Sequence, residues 1–213
     1  MVASAGHNTR MLAALCLDLM GVVLYDPYLE AISAGVGLTP GQRLDGLWHL
    51  RDPAAWPEFE MGQIDQDEFE RRFWADPDGA RQFDAAAFHA ARRAGYRFMD
   101  GMESLIANTQ AAGLALHVAS NYPVWIEEVR VTFDLDQRFH GVWASHHFGV
   151  RKPDRRFYDR LLDQVGQPAQ ACLFVDDRAE NVAAAEAIGM RAHHFTSADD
   201  LRARLIAEGV PLS

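Results

Sequence analysis

Leu12-Ala-Ala-Leu-Cys-Leu-Asp18-Leu-Met20-Gly21-Val-Val23 is the stretch on which the reading of the chain turns. Leu12 to Leu17 is apolar throughout, without the polar gaps of a helix face, and such a run reads as a strand buried on both faces. It ends on a single carboxylate, Asp18, and Gly21 then permits a tight departure from the sheet. Strands buried in this way belong to parallel sheets, and α/β proteins bind ligands at the carboxyl ends of such strands. A lone Asp there has a plainer alternative as a helix cap or a solvated strand end. What stands at the ends of the other strands decides between the two.

Downstream, helix and strand alternate. Residues 100–112 read as a helix closed by Gly113, and 114–119 as a strand ending in Ser120-Asn121. A helix over 124–133 and a strand over 141–144 follow. The basic loop Gly149-Val-Arg151-Lys152-Pro153-Asp154 leads into a helix that Asp154 caps and that runs to Val165. Residues 172–175 form the next strand, ending in Asp176-Asp177, then come a helix (180–188), a strand (191–195) and a helix (199–208). This alternation predicts a mostly parallel sheet with right-handed crossovers.

Tyr25 to Arg97 is different in kind. It carries Trp48, Trp56 and Trp74, breakers at Pro40, Pro53, Pro57 and Pro77, and no strand pattern. An amphipathic helix is predicted over 65–74, with Phe69 and Phe73 on one face, and a second over 84–93 with Asp84 as its cap. The chain therefore divides into a tail (1–11), a core (12–24 and 97–213) and a helical insertion (25–96).

With 213 residues, 49% of them hydrophobic, the chain can bury a core of its own. A formal net charge of -10 argues against nucleic acid as a partner, and it would repel a phosphate ligand unless local cations offset the field. Cys16 and Cys172 both fall in predicted strands and read as small buried hydrophobes of a reducing compartment. Asp18 interrupts the apolar segment 11–24 and no apolar run reaches membrane-spanning length, so a soluble cytoplasmic protein is expected, with no membrane partner. A monomer or homodimer is expected.

Four strand ends carry polar chemistry: Asp18, Ser120-Asn121, the Lys152 loop and Asp176-Asp177. Carboxylates brought together without a cation repel one another. An oxygen-only set of Asp18, Asp176 and Asp177 suits Mg2+, which keeps several waters and shares a phosphate. Lys152 adds a point cation, and Ser120 a donor for a phosphate oxygen.

In these pieces the sequence resembles the haloacid dehalogenase superfamily, through Leu-Cys-Leu-Asp18, Val-Ala-Ser120-Asn121, Gly-Val-Arg-Lys152-Pro-Asp and Phe-Val-Asp176-Asp177-Arg-Ala-Glu-Asn181. The likeness runs over roughly residues 12 to 196, and the insertion is similar to that superfamily's small helical cap. Arg-Lys-Pro together with Asp-Asp-x-x-x-Asn is similar to glucose-1-phosphate phosphatases and to the phosphatase domain of soluble epoxide hydrolases. The resemblance implies an α/β fold, a Rossmann-like three-layer core with an inserted cap, and a Mg2+-dependent phosphatase of small phosphorylated metabolites, sugar phosphates among them. It implies that Asp18 attacks phosphorus to form an aspartyl-phosphate. Ser120, Asn121 and Lys152 would hold the phosphoryl group, and Asp18, the Met20 carbonyl, Asp176 and Asp177 the metal, with Asp177 favoured over Asp176 as a direct ligand.

One position departs from the pattern. Phosphatases of this kind carry a second Asp two residues after the nucleophile, as general acid and base; here that residue is Met20. Its carbonyl can still bind metal, but its side chain moves no proton, and a missing acid typically costs about 10²–10⁴-fold. Glucose-1-phosphate phosphatases and true dehalogenases also have a non-acidic residue there. Unless another group substitutes, aryl, acyl or anomeric sugar phosphates should be hydrolysed far better than alkyl phosphates. The substitutes considered are water, the substrate, His146 and His147. His117, His193 and His194 read as packed or edge residues. Trp48, Trp56 and Phe59 either line a pocket or, the favoured reading, form the insertion's own core. Arg151 and Arg178 read as solvated flanks. The rival functions are a metal-free dehalogenase of haloacids, and a pseudophosphatase that binds a phosphometabolite or a partner protein.

Overall fold

A computed structural model describes residues 11–38, 50–75 and 82–212. The expectations for residues 1–10, Pro40, Trp48 and Pro77 lie outside the described residues. Five parallel strands, β1 (Ala14–Leu17), β2 (Ala115–Ser120), β3 (Gly141–Ala144), β4 (Cys172–Asp176) and β5 (Arg191–His194), form a sheet in the order β3-β2-β1-β4-β5. The order reverses at β1, so its carboxyl end is the switch point where a crevice opens.

Alternation along β1 separates two apolar layers. Leu15 and Leu17 face a cluster completed by α5 (Met102–Ala111), α6 (Ile126–Thr132), α7 (Leu135–Arg138) and α11 (Ala198–Ala207). Ala14 and Cys16 face the opposite cluster, built with α9 (Arg155–Val165) and α10 (Ala179–Ala187). The result is a three-layer α/β fold. Cys16 and Cys172 are buried thiols with no disulfide. No helix among the described residues is long and apolar enough to cross a membrane.

Between β1 and α5 the described residues form α1 (Tyr28–Gly35), α2 (Ala55–Glu60), α3 (Gln66–Arg71) and α4 (Ala85–Gly95). The Asp65 and Asp84 side chains cap α3 and α4 by accepting from the N–H groups of Glu68 and Ala87. Pro57 is tolerated in α2 because it lies in the first turn, where its missing N–H would have no helical partner. These helices share one apolar cluster with the sheet. Trp125 of the core sits among their rings, 4.9 Å from Phe59 and 5.6 Å from Phe88 by ring centroid. Polar ties reinforce the contact. The buried Arg92 reaches Glu128 at 2.8 Å, and the Trp125 indole donates to Gln66 Oε1 at 2.8 Å.

Besides α1 and α2 of the insertion, two short α-helices of the core had no counterpart in the sequence reading: α7, where a single helix to 133 was expected, and α8 (Ser145–Phe148) directly after β3. One turn has too few residues to show a period, so burial of Leu135, Ser145 and Phe148 holds them in place.

Candidate active site

Strand register sets the geometry. Leu17 pairs with Val118 and with Val175, so Asp18 stands level with Ala119 and Asp176 on the neighbouring strands. The Asp18 N–H donates to the Val175 carbonyl at 2.8 Å and extends the sheet by one bond. Gly21 then turns the chain at φ +83°, with the N–H groups of Gly21, Val23 and Leu24 donating to the Leu24 and Leu19 carbonyls. The Met20 carbonyl takes part in none of these bonds.

Lys152 lies at the centre. Its ammonium is fully buried and its three donors have three acceptors: the Ala119 carbonyl at 2.8 Å, Asp176 Oδ2 at 2.6 Å and Asp18 Oδ1 at 3.1 Å. A buried charge requires such pairing. Burial alone would lower the ammonium pKa; Asp18 and Asp176 outweigh it and hold Lys152 charged. Asn121 clamps the lysine loop, its amide donating to the Lys152 carbonyl at 3.0 Å and accepting from the Lys152 N–H at 2.8 Å. It lines the cavity, but both ends of its amide are already used.

Asp18, Asp176 and Asp177 offer carboxylate oxygens that all lie within 4.8 Å of one another. The two members of the acidic pair differ in freedom. Asp176 has both oxygens engaged, Oδ2 by Lys152 and Oδ1 by Asn181 Nδ2 and the Arg178 N–H, each at 2.9 Å. The Asp177 carboxylate packs over Gly21, where an added Cβ would lie 2.6 Å from Oδ2. Burial pushes Asp18 up to about 7 despite the pull of Lys152, and burial followed by the Asp176 charge raises Asp177. A set of oxygen donors that resists ionisation when close together fits a small hard cation, which would reverse both shifts.

Asp18 and Asp177, with Lys152, line a cavity of about 430 Å³ together with Met20, Tyr28, Trp56, Glu60 and Arg151, while Asp176 lies buried behind it. Ser120 is on its wall with a buried hydroxyl that makes no hydrogen bond among the described residues. A buried donor without a partner is rare and asks for one.

The structure corrects several peripheral expectations. His146 and His147 do not line this cavity. His147 is engaged by Glu127 at 2.8 Å and by the Ala144 N–H, while His146 packs against Gly62. Arg151 is more than a solvated flank: it crosses to the insertion and lies 3.0 Å from Glu60 Oε2, whereas Arg178 pairs with its neighbour Glu180 at 2.8 Å. Phe59 is core packing. Trp56 serves both purposes, lining the cavity and packing 4.3 Å from Tyr28. Glu60 was missed by the sequence reading. It is a buried carboxyl at the end of α2, and its only sequence signal was an acid late in a short, Pro-containing helix.

A parallel sheet with a switch-point carboxylate, a buried lysine and an acidic pair gathered at its strand ends defines a three-layer α/β protein with a polar crevice. The chain belongs to the haloacid dehalogenase-like hydrolases, whose defining pattern matches residues 13–189. It is 33% identical over 204 residues to flavin mononucleotide hydrolase 1 of Arabidopsis thaliana, a protein named as chloroplastic, covering 96% of this chain and 80% of that one. A sesquiterpene phosphatase of Aspergillus oryzae is 33% identical over 157 residues, 72% of this chain and 78% of that one. A HAD family enzyme from Bacteroides thetaiotaomicron shares the fold, and its complex with magnesium and inorganic phosphate superposes with a TM-score of 0.66 at 16% identity, over 87% of this chain and 95% of that one.

Proposed function

We propose that the protein is a Mg2+-dependent phosphatase of small phosphorylated metabolites. The observation that carries this reading is the convergence of three carboxylates within 4.8 Å beside a buried lysine, two of them, Asp18 and Asp177, on the wall of a cavity of metabolite size. Both bonds to Asp18, from the Leu19 N–H at 2.7 Å and from Lys152, go to Oδ1. Oδ2 is the oxygen left to attack phosphorus. Ser120 then donates to a phosphoryl oxygen, and Lys152 offsets charge on the transferring group, the main demand of phosphoryl transfer.

The metal would be held by Asp18, the Met20 carbonyl and Asp177. Asp176 contributes through Lys152 and Asn181, because its oxygens are already taken. When bound, Mg2+ supplies positive charge beside the phosphoryl oxygens. The relatives named as phosphatase and mononucleotide hydrolase, and the neighbour crystallised with magnesium and phosphate, support the same reading. Helices α1 to α4 act as the cap that closes the cavity over the substrate. Tyr28 and Trp56 line the cavity with aromatic rings, so flavin mononucleotide belongs in the test panel beside sugar phosphates.

The deciding experiment is a screen of phosphate esters with and without Mg2+, alongside Asp18→Asn. Mg2+-dependent phosphate release that Asp18→Asn abolishes, with beryllofluoride captured on Asp18 in the wild type, is the expected result. Halide release from a haloacid that survives EDTA, or no turnover of any ester, would overturn the reading.

A further inference from the structure

Position 20 leaves the site without a side chain that moves protons, and the cavity wall offers a replacement. Glu60 enters from α2 and not from the sheet edge. In-line displacement places the leaving oxygen opposite the attacking Asp18, away from the sheet and toward the insertion. Glu60 is 4% exposed. Its Oε2 is buried and, although 3.0 Å from an Arg151 nitrogen, receives no well-aligned hydrogen bond. Its main chain is fixed from the core: the Ser145 hydroxyl accepts from the Tyr122 N–H at 3.0 Å and donates to the Glu60 carbonyl at 2.6 Å. Gly62, at φ +67°, lets the chain after α2 lie against His146, where a Cβ would come within 2.9 Å of the ring.

Given the phosphatase reading, on which this rests, we propose that Glu60 is the catalytic acid and base that Met20 does not supply. In the first step Asp18 bonds to phosphorus, the bond from phosphorus to the leaving oxygen breaks with its electron pair on that oxygen, and the Glu60 carboxyl gives it a proton. Alcohol and a Glu60 carboxylate result. In the second step that carboxylate takes a proton from water as the water attacks phosphorus. The bond from phosphorus to Asp18 breaks, the pair returns to Asp18, phosphate is released and Glu60 is again protonated.

The surroundings suit the two states. Burial pushes the carboxyl up to about 7, so both forms are populated near neutrality; Arg151 and then Lys152 pull the other way, and the Asp18 charge adds to the rise. Trp56, on the same helix, also favours the carboxylate form, and Tyr28 of α1, bonded by Arg51, lines the same cavity. Asp26, another acid on the cavity wall, also has its carboxyl raised by the surrounding protein, but it is the more exposed of the two and its Oδ1 accepts the Tyr28 N–H at 3.0 Å.

The test compares p-nitrophenyl phosphate with glycerol 3-phosphate on wild type, Glu60→Gln, Asp26→Asn and the double variant Glu60→Gln/Met20→Asp, each checked for folding by circular dichroism. In single-turnover measurements of the transfer step, Glu60→Gln should lower the rate on the alkyl ester by about 10²–10⁴-fold and on the aryl ester by less than about tenfold, while breakdown of the shared aspartyl-phosphate slows alike for both. Adding Met20→Asp should recover at least about a tenfold part of the alkyl loss. Arg151→Gln, which keeps the acid but removes its cation, should move the alkaline limb of the alkyl pH profile upward. Equal loss of the transfer rate on both esters, no loss on either, an unmoved limb, or the alkyl-selective loss appearing in Asp26→Asn would overturn the assignment. A wild type that hydrolyses neither ester with Mg2+ would instead overturn the phosphatase reading beneath it.

Discussion

Lys152 shows what a single residue does here. Replacing it with Met would leave Asp18 and Asp176 facing each other, both buried, with no cation between them. Loss of one partner from a buried ion pair typically costs about 3–5 kcal/mol, so Lys152→Met should melt well below wild type in EDTA; an unchanged melting temperature would mean that the carboxylates are relieved elsewhere. Asp18→Asn should behave in the opposite way. The Asp18 pKa in the folded metal-free chain is about 7, against 3.8 for an unperturbed carboxyl. As pH rises, the unfolded chain releases this proton first, so between those values the folded state holds more protons and this group's contribution to stability is lost with increasing pH. Asn does not titrate. The stability of Asp18→Asn relative to wild type in EDTA should therefore grow from pH 4 to pH 8, by on the order of 4 kcal/mol at most. A gap that stays flat with pH would show that Asp18 is already ionised at low pH.

At the scale of elements, the turn after β1 is the most sensitive joint. Gly21 is left-handed and its missing Cβ is the space the Asp177 carboxylate occupies. Gly21→Ala should cost on the order of 1–3 kcal/mol in backbone strain and push Asp177 aside. Its melting temperature should then respond to Mg2+ much less than that of wild type; a full response would separate the turn from the metal site. Strand ends were legible in the sequence because a parallel sheet gathers them on one edge, so Asp18, Ser120, Lys152 and Asp176-Asp177 could be placed together without any long-range information. Glu60 could not. Its relevance depends on a contact with Arg151, far along the chain, and on a glycine and a serine that hold α2 against α8. Neither α2 nor α8 is long enough to declare itself by period.

For the whole molecule, a net charge of -10 and an acidic site should make the cation the largest single lever on stability. Binding to the folded state alone raises stability by mass action, about 2.7 kcal/mol at a hundred times the dissociation constant. Mg2+ should raise the wild-type melting temperature, and Asp177→Ala should remove most of that rise while leaving the EDTA value near wild type. A wild type indifferent to Mg2+ would count against the metal site altogether. Sheet and layers were readable because buried parallel strands and amphipathic helices each carry a period. How the insertion meets the core was not, since rings such as Phe59, Phe69 and Trp125 look alike in a sequence whether they pack within a unit or across two.

Trp125 lies at that junction, 4% exposed, ringed by aromatic side chains of the insertion, with the Arg92 guanidinium 4.4 Å from its ring centroid and its indole N–H held by Gln66. An indole so enclosed should emit at short wavelength, and any separation of the insertion from the core would wet it and shift the emission to the red. The Trp125 share of the emission, isolated by difference against Trp125→Phe among the five tryptophans, should therefore report any loosening of this junction.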